Sequence, residues 1–246
     1  MKWVRSSLLD GLPLVASGFS TRQGGSSATP YASLNLGLST GDEMDAVQAN
    51  RALAARDLGF DVDTMAIAGQ VHGSHVQEVR SGGLVRETDG LVSATPGILL
   101  CMSAADCASV LFADPEASVV GACHAGWRGS VGGVVAQTVT AMAALGARPE
   151  KLIAWISPCI GTECFEVGEE VADQFPPQHV LRRPEWPRPH INLSASLVEQ
   201  LVEAGLKAKH VEASGRCTMC ETDTFFSYRG EGGTTGRMMG FIGLKV

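Results

Sequence analysis

The chain has 246 residues, 45% of them apolar and 18% charged, with a formal net charge of −7. That is the make-up of a folded chain long enough for one substantial core. The acidic balance excludes an extended nucleic-acid surface, which needs a basic stripe. No apolar run approaches the roughly 20 residues of a membrane-spanning helix.

Lys2, Arg5 and Leu8-Leu9 begin like an export signal, but Asp10, Gly11 and Pro13 break the run too early, so a cytoplasmic protein is expected. Residues 17–41, rich in Gly, Ser, Thr and Asn, read as an extended loop long enough to carry function. Asp42 is then expected to cap a helix reaching Gly59, with Met44, Val47, Ala54 and Leu58 on its inner side. From Thr64 the pattern shortens to apolar runs at 65–71, 75–80, 98–103, 108–113 and 118–123, which read as strands. Those at 99–102 and 119–123 are apolar on both faces and belong at the centre of a covered sheet.

A helix is expected over 130–145, with Val131, Val134, Val135, Thr138, Met142 and Leu145 as its core stripe. Gly132-Gly133 near its start implies close backbone packing. A strand at 151–157 and helices near 166–174 and 194–204 follow, the two helices separated by an irregular proline-rich segment. A last strand closes the chain. The irregular alternation predicts one α+β domain over residues 1–246, with a mixed β-sheet flanked by helices.

Seven cysteines, at 101, 107, 123, 159, 164, 217 and 220, are odd in number and scattered, so they form no disulfide framework. Three segments gather chemistry at strand ends: Gln70-Val71-His72-Gly73, Ala105-Asp106-Cys107 and His124-Ala125-Gly126-Trp127-Arg128-Gly129. Two imidazoles and a thiolate make a zinc set that leaves the fourth tetrahedral position for a reactant. The spacing alone is no local metal signature, and buried, hydrogen-bonded histidines remain the alternative.

Those three segments resemble the laccase-domain (YfiH-like) family in order and spacing. So do Ser33-Leu34-Asn35-Leu36-Gly37, Gly41-Asp42, Asn50-Arg51, residues 157–161, and Phe225-Phe226-Ser227-Tyr228-Arg229. The resemblance spans nearly the whole chain, and the run from His124 to Gly129 is its most specific part. It implies the layered, YfiH-like cysteine-hydrolase type of fold and one zinc ion on His72, Cys107 and His124, with copper as an adventitious substitute. It also implies activity on purine nucleosides: phosphorolysis of adenosine, inosine and methylthioadenosine, and deamination of adenosine. Polyphenol oxidation and peptidoglycan editing are the family's other descriptions. The chain departs from the family at Ala104, Ser109 and Gly230, where relatives often carry Thr, Pro and Arg, which bears on substrate preference.

Phosphorolysis needs cations on phosphate, and Arg128 is the first candidate, with Arg51 and Arg229 behind it. Asn35 and Gln70 are candidates for hydrogen bonds to ribose or base, and Trp127 for stacking. Deamination needs a proton shuttle, for which Asp106 and then Glu166 are candidates. The expected partners are a purine nucleoside and phosphate, with no nucleic acid and no membrane, and the chain is expected to be a monomer. His75 reads as a surface residue, His179, His190 and His210 as exposed, and Cys217-Thr-Met-Cys220 as reduced thiols in the site wall. The rival readings are a hydrolase with Cys107 as nucleophile and His124 as base, a copper oxidase, and a structural zinc module. The six histidines contain no His-x-His pair, which excludes a multicopper centre.

Overall fold

Alternation along the strands sorts the core into three apolar layers, and the site lies where two sheets meet. The structure, a computed structural model, describes residues 2–246. Its first strands are β1 (Trp3–Val4), β2 (Val15–Ser20), β3 (Met65–Gly69), β4 (Val76–Glu78), β5 (Gly83–Arg86), β6 (Gly90–Ser93) and β7 (Leu99–Ala104). There follow β8 (Ala108–Asp114), β9 (Val119–Ala125), β10 (Ile153–Ile156), β11 (Val180–Leu181), β12 (His190–Ile191), β13 (Val211–Ala213) and β14 (Met238–Leu244). The helices are α1 (Ser7–Asp10), α2 (Met44–Asp57), α3 (Trp127–Val131), α4 (Val134–Ala144), α5 (Glu169–Ala172) and α6 (Leu193–Glu203).

One six-stranded sheet runs β1-β2-β14-β7-β3-β5 and a second runs β13-β10-β8-β9-β6-β4. Both are mixed: β3 is parallel to β5 and β7, while β8 is antiparallel to β9 and β10. On β7, Leu100 and Met102 join Leu111, Val120, Trp155 and Ile242 between the sheets. Leu99 and Cys101 point the other way, into a layer with Ala54, Ala55 and Leu58. On the second sheet Val110, Phe112 and Cys123 pack with Val135, Met142, Leu197 and Leu201. The order is therefore helix, sheet, sheet, helix, an α+β architecture in which both sheets are covered on both faces. Each buried Leu, Val or Phe contributes about 1.5–3 kcal/mol.

The structure corrects several expectations. The helix expected at 130–145 is two: Gly133 has φ +77°, a left-handed conformation open to glycine, and it separates α3 from α4. Val134, Val135, Thr138 and Met142 are buried as expected, while Val131 lies beyond the break and is exposed. Asp42 does not cap α2, which starts one residue too far along; its carboxylate accepts from Glu43 N and Asn35 Nδ2 instead. Met44 is exposed. The loop at 17–41 gives up its first residues to β2, a fully buried strand.

His179 and His190 are buried, not exposed: Glu199 accepts from His179 at 2.5 Å, and the His190 ring stacks on Trp186 at 3.8 Å. His210 is half-buried, and His75 is exposed as expected. No helix among the described residues is long and apolar enough to cross a membrane.

Candidate metal centre and its pocket

Three strand ends converge on one spot. After β3 the chain runs through Gln70 and Val71 to His72, which sits at φ +61°. Gln70 extends the ladder with its side chain, donating Nε2–H to Ser103 O at 2.9 Å and accepting from Ser103 N at 2.8 Å. Between β7 and β8 the turn passes through Asp106 at φ +87° and delivers Cys107 at the crossing from one sheet to the other. Two non-glycine residues in the left-handed region beside a ligand cluster are the kind of local strain that surrounding contacts must hold in place.

At Asp106 those contacts are explicit. Its carboxylate accepts from Thr218 Oγ1, Ser227 Oγ and Arg229 N, each at 2.7 Å. The turn is thus fastened to the C-terminal segment more than 100 residues away.

His124 is the penultimate residue of β9. Gly126 follows because no side chain fits: a Cβ there would lie 2.7 Å from Cys107 Sγ. The ligand atoms of His72, Cys107 and His124 all lie within 4.8 Å of one another, and the two imidazoles stand edge to face with centroids 4.9 Å apart. Zinc bonds of about 2.0–2.1 Å to nitrogen and about 2.3 Å to sulfur draw tetrahedral ligand atoms to about 3.3–3.6 Å, a separation that atoms gathered within 4.8 Å reach by small side-chain shifts. The donor set fits a catalytic rather than a closed structural zinc site, since three protein ligands leave one tetrahedral position over.

Asp89, fully buried, organises the cluster from behind. Oδ1 accepts from His124 Nδ1 at 2.9 Å and from His72 N at 3.0 Å; Oδ2 accepts from Gly73 N at 2.7 Å and Val71 N at 3.1 Å. Burial opposes its charge, but these donors outweigh it and hold the carboxyl below its ordinary range. With Nδ1 engaged, His124 presents Nε2 to Cys107, the orientation a carboxylate imposes on a ligating histidine.

Burial likewise pushes the Cys107 thiol up, but His124 and His72 bring it down to about 6. His124 rises to about 9 against its own burial, through Cys107 and Asp89. The pair favours thiolate and imidazolium, and a thiolate is the form that ligates metal.

The cluster lines the floor of a cavity of about 830 Å³, within the range of small-molecule sites. Gln70, Asp106, Arg51, Arg128 and Arg229 line it as well. Asn35 does not: it is fully buried, and its amide is engaged with Gly37, Thr40, Asp42 and Arg237. Glu166 is also absent from the wall; its carbonyl accepts from Arg229 Nη1 at 3.0 Å. Gln70 lines the cavity, but both polar atoms of its amide are paired with Ser103.

Arg237, unmarked by any sequence motif, also lines the cavity, with its guanidinium 5.6 Å from the Tyr228 ring centroid. Asp89 is equally unmarked, its only local signal being a Thr-Asp-Gly turn pattern.

No carboxylate lies in ion-pair contact with Arg51, Arg128, Arg229 or Arg237 among the described residues. Burial lowers Arg51 and Arg237 from their ordinary values, but guanidinium groups stay charged at neutral pH. Arg128 is exposed and lies over the Trp127 ring at 4.2 Å. The cavity thus gathers four arginines, none of them in an ion-pair contact among the described residues, in a protein of net charge −7, with the Asp106 carboxylate and Cys107 as its nearby anionic groups. Apolar surface from Ile67, Leu84, Ile160, Phe165 and Tyr228 completes it.

Residues 16–245 match the family model described as multi-copper polyphenol oxidoreductase laccase. A protein of Deinococcus radiodurans named purine nucleoside phosphorylase is 46% identical over 245 residues, covering 95% of this chain and 94% of that one. Purine nucleoside phosphorylase YfiH of Escherichia coli is 38% identical, covering 94% of each. The crystal structure of YlmD from Geobacillus stearothermophilus superposes with a TM-score of 0.92 at 34% identity, over 100% of this chain and 97% of that one. The YfiH protein of Bacillus licheniformis gives 0.87 at 34% identity, over 94% and 93%. The copper in the family description has no multinuclear ligand set here, since only one group of three or more metal-type ligands among the described residues contains histidine. With sequence, fold and the His-Cys-His cluster in agreement, the chain belongs to the laccase-domain, YfiH-type family.

Proposed function

We propose that this chain is a zinc-dependent purine nucleoside phosphorylase acting on adenosine, inosine or methylthioadenosine, in a cytoplasmic setting that its seven unbridged thiols support. The observation that carries the reading is the four arginines without an ion-pair contact among the described residues, around a cavity lined by His72, Cys107 and His124. The names of its relatives point the same way.

In phosphorolysis a phosphate oxygen bonds to ribose C1′ while the bond from C1′ to the purine nitrogen breaks, and the departing base takes up a proton. Arg128, whose guanidinium has no hydrogen-bond partner among the described residues and lies over the Trp127 ring, is placed to hold phosphate, with Arg229, Arg51 and Arg237 adding positive potential. Trp127 and Tyr228 supply rings against which a purine can stack. His72, Cys107 and His124 would hold a zinc ion, which would supply Lewis acidity in the cavity.

Phosphorolysis takes precedence over adenosine deamination on one ground. The carboxylate of Asp106 already accepts three hydrogen bonds, and Glu166 lies outside the wall, so neither candidate shuttle is a free proton carrier in the cavity. The decisive test combines metal analysis with an assay of inosine and phosphate. Stoichiometric zinc with phosphate-dependent release of hypoxanthine supports the reading; release of base without phosphate, or no release by zinc-loaded protein, refutes it.

One observation favours a second reading. Asp89, His124 and Cys107 are arranged as the orienter, base and nucleophile of a cysteine hydrolase. His72 argues against it, because a hydrolase has no use for a second imidazole on the same sulfur.

A further inference from the structure

A second group of metal-type ligands lies outside the cavity. The sulfur atoms of Cys164, Cys217 and Cys220 are all within 4.8 Å of one another, with 3.3 Å between Cys164 and Cys220. In the sequence, Cys217-Thr-Met-Cys220 is an isolated pair. The fold brings the third sulfur from the turn Thr162–Cys164, and the backbone fastens the two segments together beside it. An isolated bridge joins Cys159 to Cys217, with Thr218 N donating to Cys159 O at 3.0 Å and Cys159 N to Arg216 O at 3.3 Å. The two segments that carry the sulfurs are therefore held together by the main chain, which reduces the ordering cost of any ligand they bind.

The surroundings favour anionic sulfur at one of the three, Cys217. Cys217 Sγ accepts the backbone N–H of Gly161 at 3.1 Å and of Cys220 at 3.4 Å. Outer-shell donors of this kind support ligating atoms. Against the pull of burial, they lower the Cys217 thiol, while burial and the neighbouring sulfurs push Cys164 up to about 12. Three adjacent thiols cannot all ionise unless a cation sits among them.

We propose that Cys164, Cys217 and Cys220 form a second, all-sulfur site for Zn2+, separate from the His72, Cys107 and His124 centre. A set of three sulfurs with no oxygen selects a thiophilic cation over magnesium or calcium. Binding releases the protons of the coordinated thiols to solvent as the zinc–sulfur bonds form. Cys220 is exposed, so the ion enters from solvent and water completes the tetrahedron.

The site would clamp the wall of the main cavity. Thr218, between the two ligands of the C-x-x-C pair, donates to the Asp106 carboxylate, and Ile160 N donates to Asp106 O at 2.8 Å. Asp106 is the neighbour of Cys107.

The test uses the full chain with His72→Ala and Cys107→Ser, which removes the first ligand set, purified reduced and without oxygen. The remaining thiols, Cys101, Cys123 and Cys159, are buried. Titration with Cd2+ is expected to load one ion per chain with sulfur-to-cadmium charge-transfer absorption, displaced by Zn2+. Adding Cys220→Ala should weaken Cd2+ binding by about tenfold or more. Cys220→His should retain binding with a weaker charge-transfer band, and at an exposed position neither change disturbs the core. A chain that takes up no Cd2+, a Cd2+ affinity unchanged by Cys220→Ala, or a Cys164–Cys220 disulfide in the anaerobic protein overturns the site.

Discussion

Replacing Asp89 by Asn isolates the group that aims the metal ligands, because it keeps shape and removes only charge and one acceptor. The wild-type carboxylate accepts four hydrogen bonds of 2.7–3.1 Å, two at each oxygen. An asparagine keeps one oxygen, so two of the four become N–H facing N–H. At about 1.5–3 kcal/mol for each bond to a buried charge, the loss is about 3–6 kcal/mol, a large part of the 5–15 kcal/mol typical of a domain. Should the amide nitrogen take the place of Oδ1, His124 Nδ1 must become an acceptor. Its proton then moves to Nε2, the atom a metal needs free, an exchange known to disable a catalytic imidazole. Zinc affinity should fall by about 10–100-fold. Urea unfolding of the metal-free chain measures the first quantity, and competition with a chromophoric chelator the second. An Asp89→Asn chain with an unchanged urea midpoint and unchanged zinc affinity refutes the claim that this carboxylate sets the geometry.

The Gly126→Ala variant should fold but lose zinc affinity, since its new methyl group lies 2.7 Å from Cys107 Sγ; the same chelator competition reads the change, and wild-type affinity contradicts the close approach. Arg128→Ala should raise the KM for phosphate by about tenfold or more while leaving zinc content alone, an effect expected of a lost charge-assisted contact. Initial rates at varied phosphate settle it. Glu212 accepts from Ser6 Oγ, Ser7 N, Ser7 Oγ and Leu8 N, and against the effect of burial these donors, led by Ser6, hold its carboxyl below the ordinary value. A carboxyl lowered on folding contributes stability above its unfolded pKa of about 4.3 and loses it as pH falls through the folded value. Glu212→Gln should therefore unfold more easily than wild type at neutral pH, and the gap should narrow in acid; a gap that stays constant with pH rules out this linkage.

How much of this was legible in the sequence follows from the range of each signal. The central strands were readable because a strand buried on both faces is apolar at every position, as in 99–102 and 119–123. The three ligands stood at strand ends and were visible one by one, yet only the family resemblance tied them into a set. Asp89 was invisible because its meaning is tertiary: nothing near Thr88-Asp89-Gly90 announces a histidine 35 residues later. Asn35 failed in the opposite direction. A polar residue in a glycine-rich loop suggests a ligand contact, but here that loop folds onto β14 and the amide satisfies buried backbone instead. The two-helix break at Gly133 is half legible: the glycine pair signals close backbone packing, but nothing local marks its left-handed φ.

The choice between a metal enzyme and a cysteine hydrolase turns on a residue that both chemistries share, and chelation separates them. Cys107 Sγ lies within 4.8 Å of a nitrogen of each imidazole, and its thiol is drawn down to about 6, which favours thiolate at neutral pH when no metal is bound. A cation on His72, Cys107 and His124 would occupy that lone pair and block alkylation. Iodoacetamide labelling mapped by mass should therefore mark Cys107 quickly after chelation and slowly after zinc is restored. Nucleoside cleavage should vanish and return in the same two steps. A hydrolase built on the same thiolate behaves in reverse: it keeps its activity through chelation and loses it on alkylation, and zinc acts as its inhibitor. Activity that survives metal removal and dies with the Cys107 adduct assigns the cluster to nucleophilic catalysis, with His72 reduced to a neighbour.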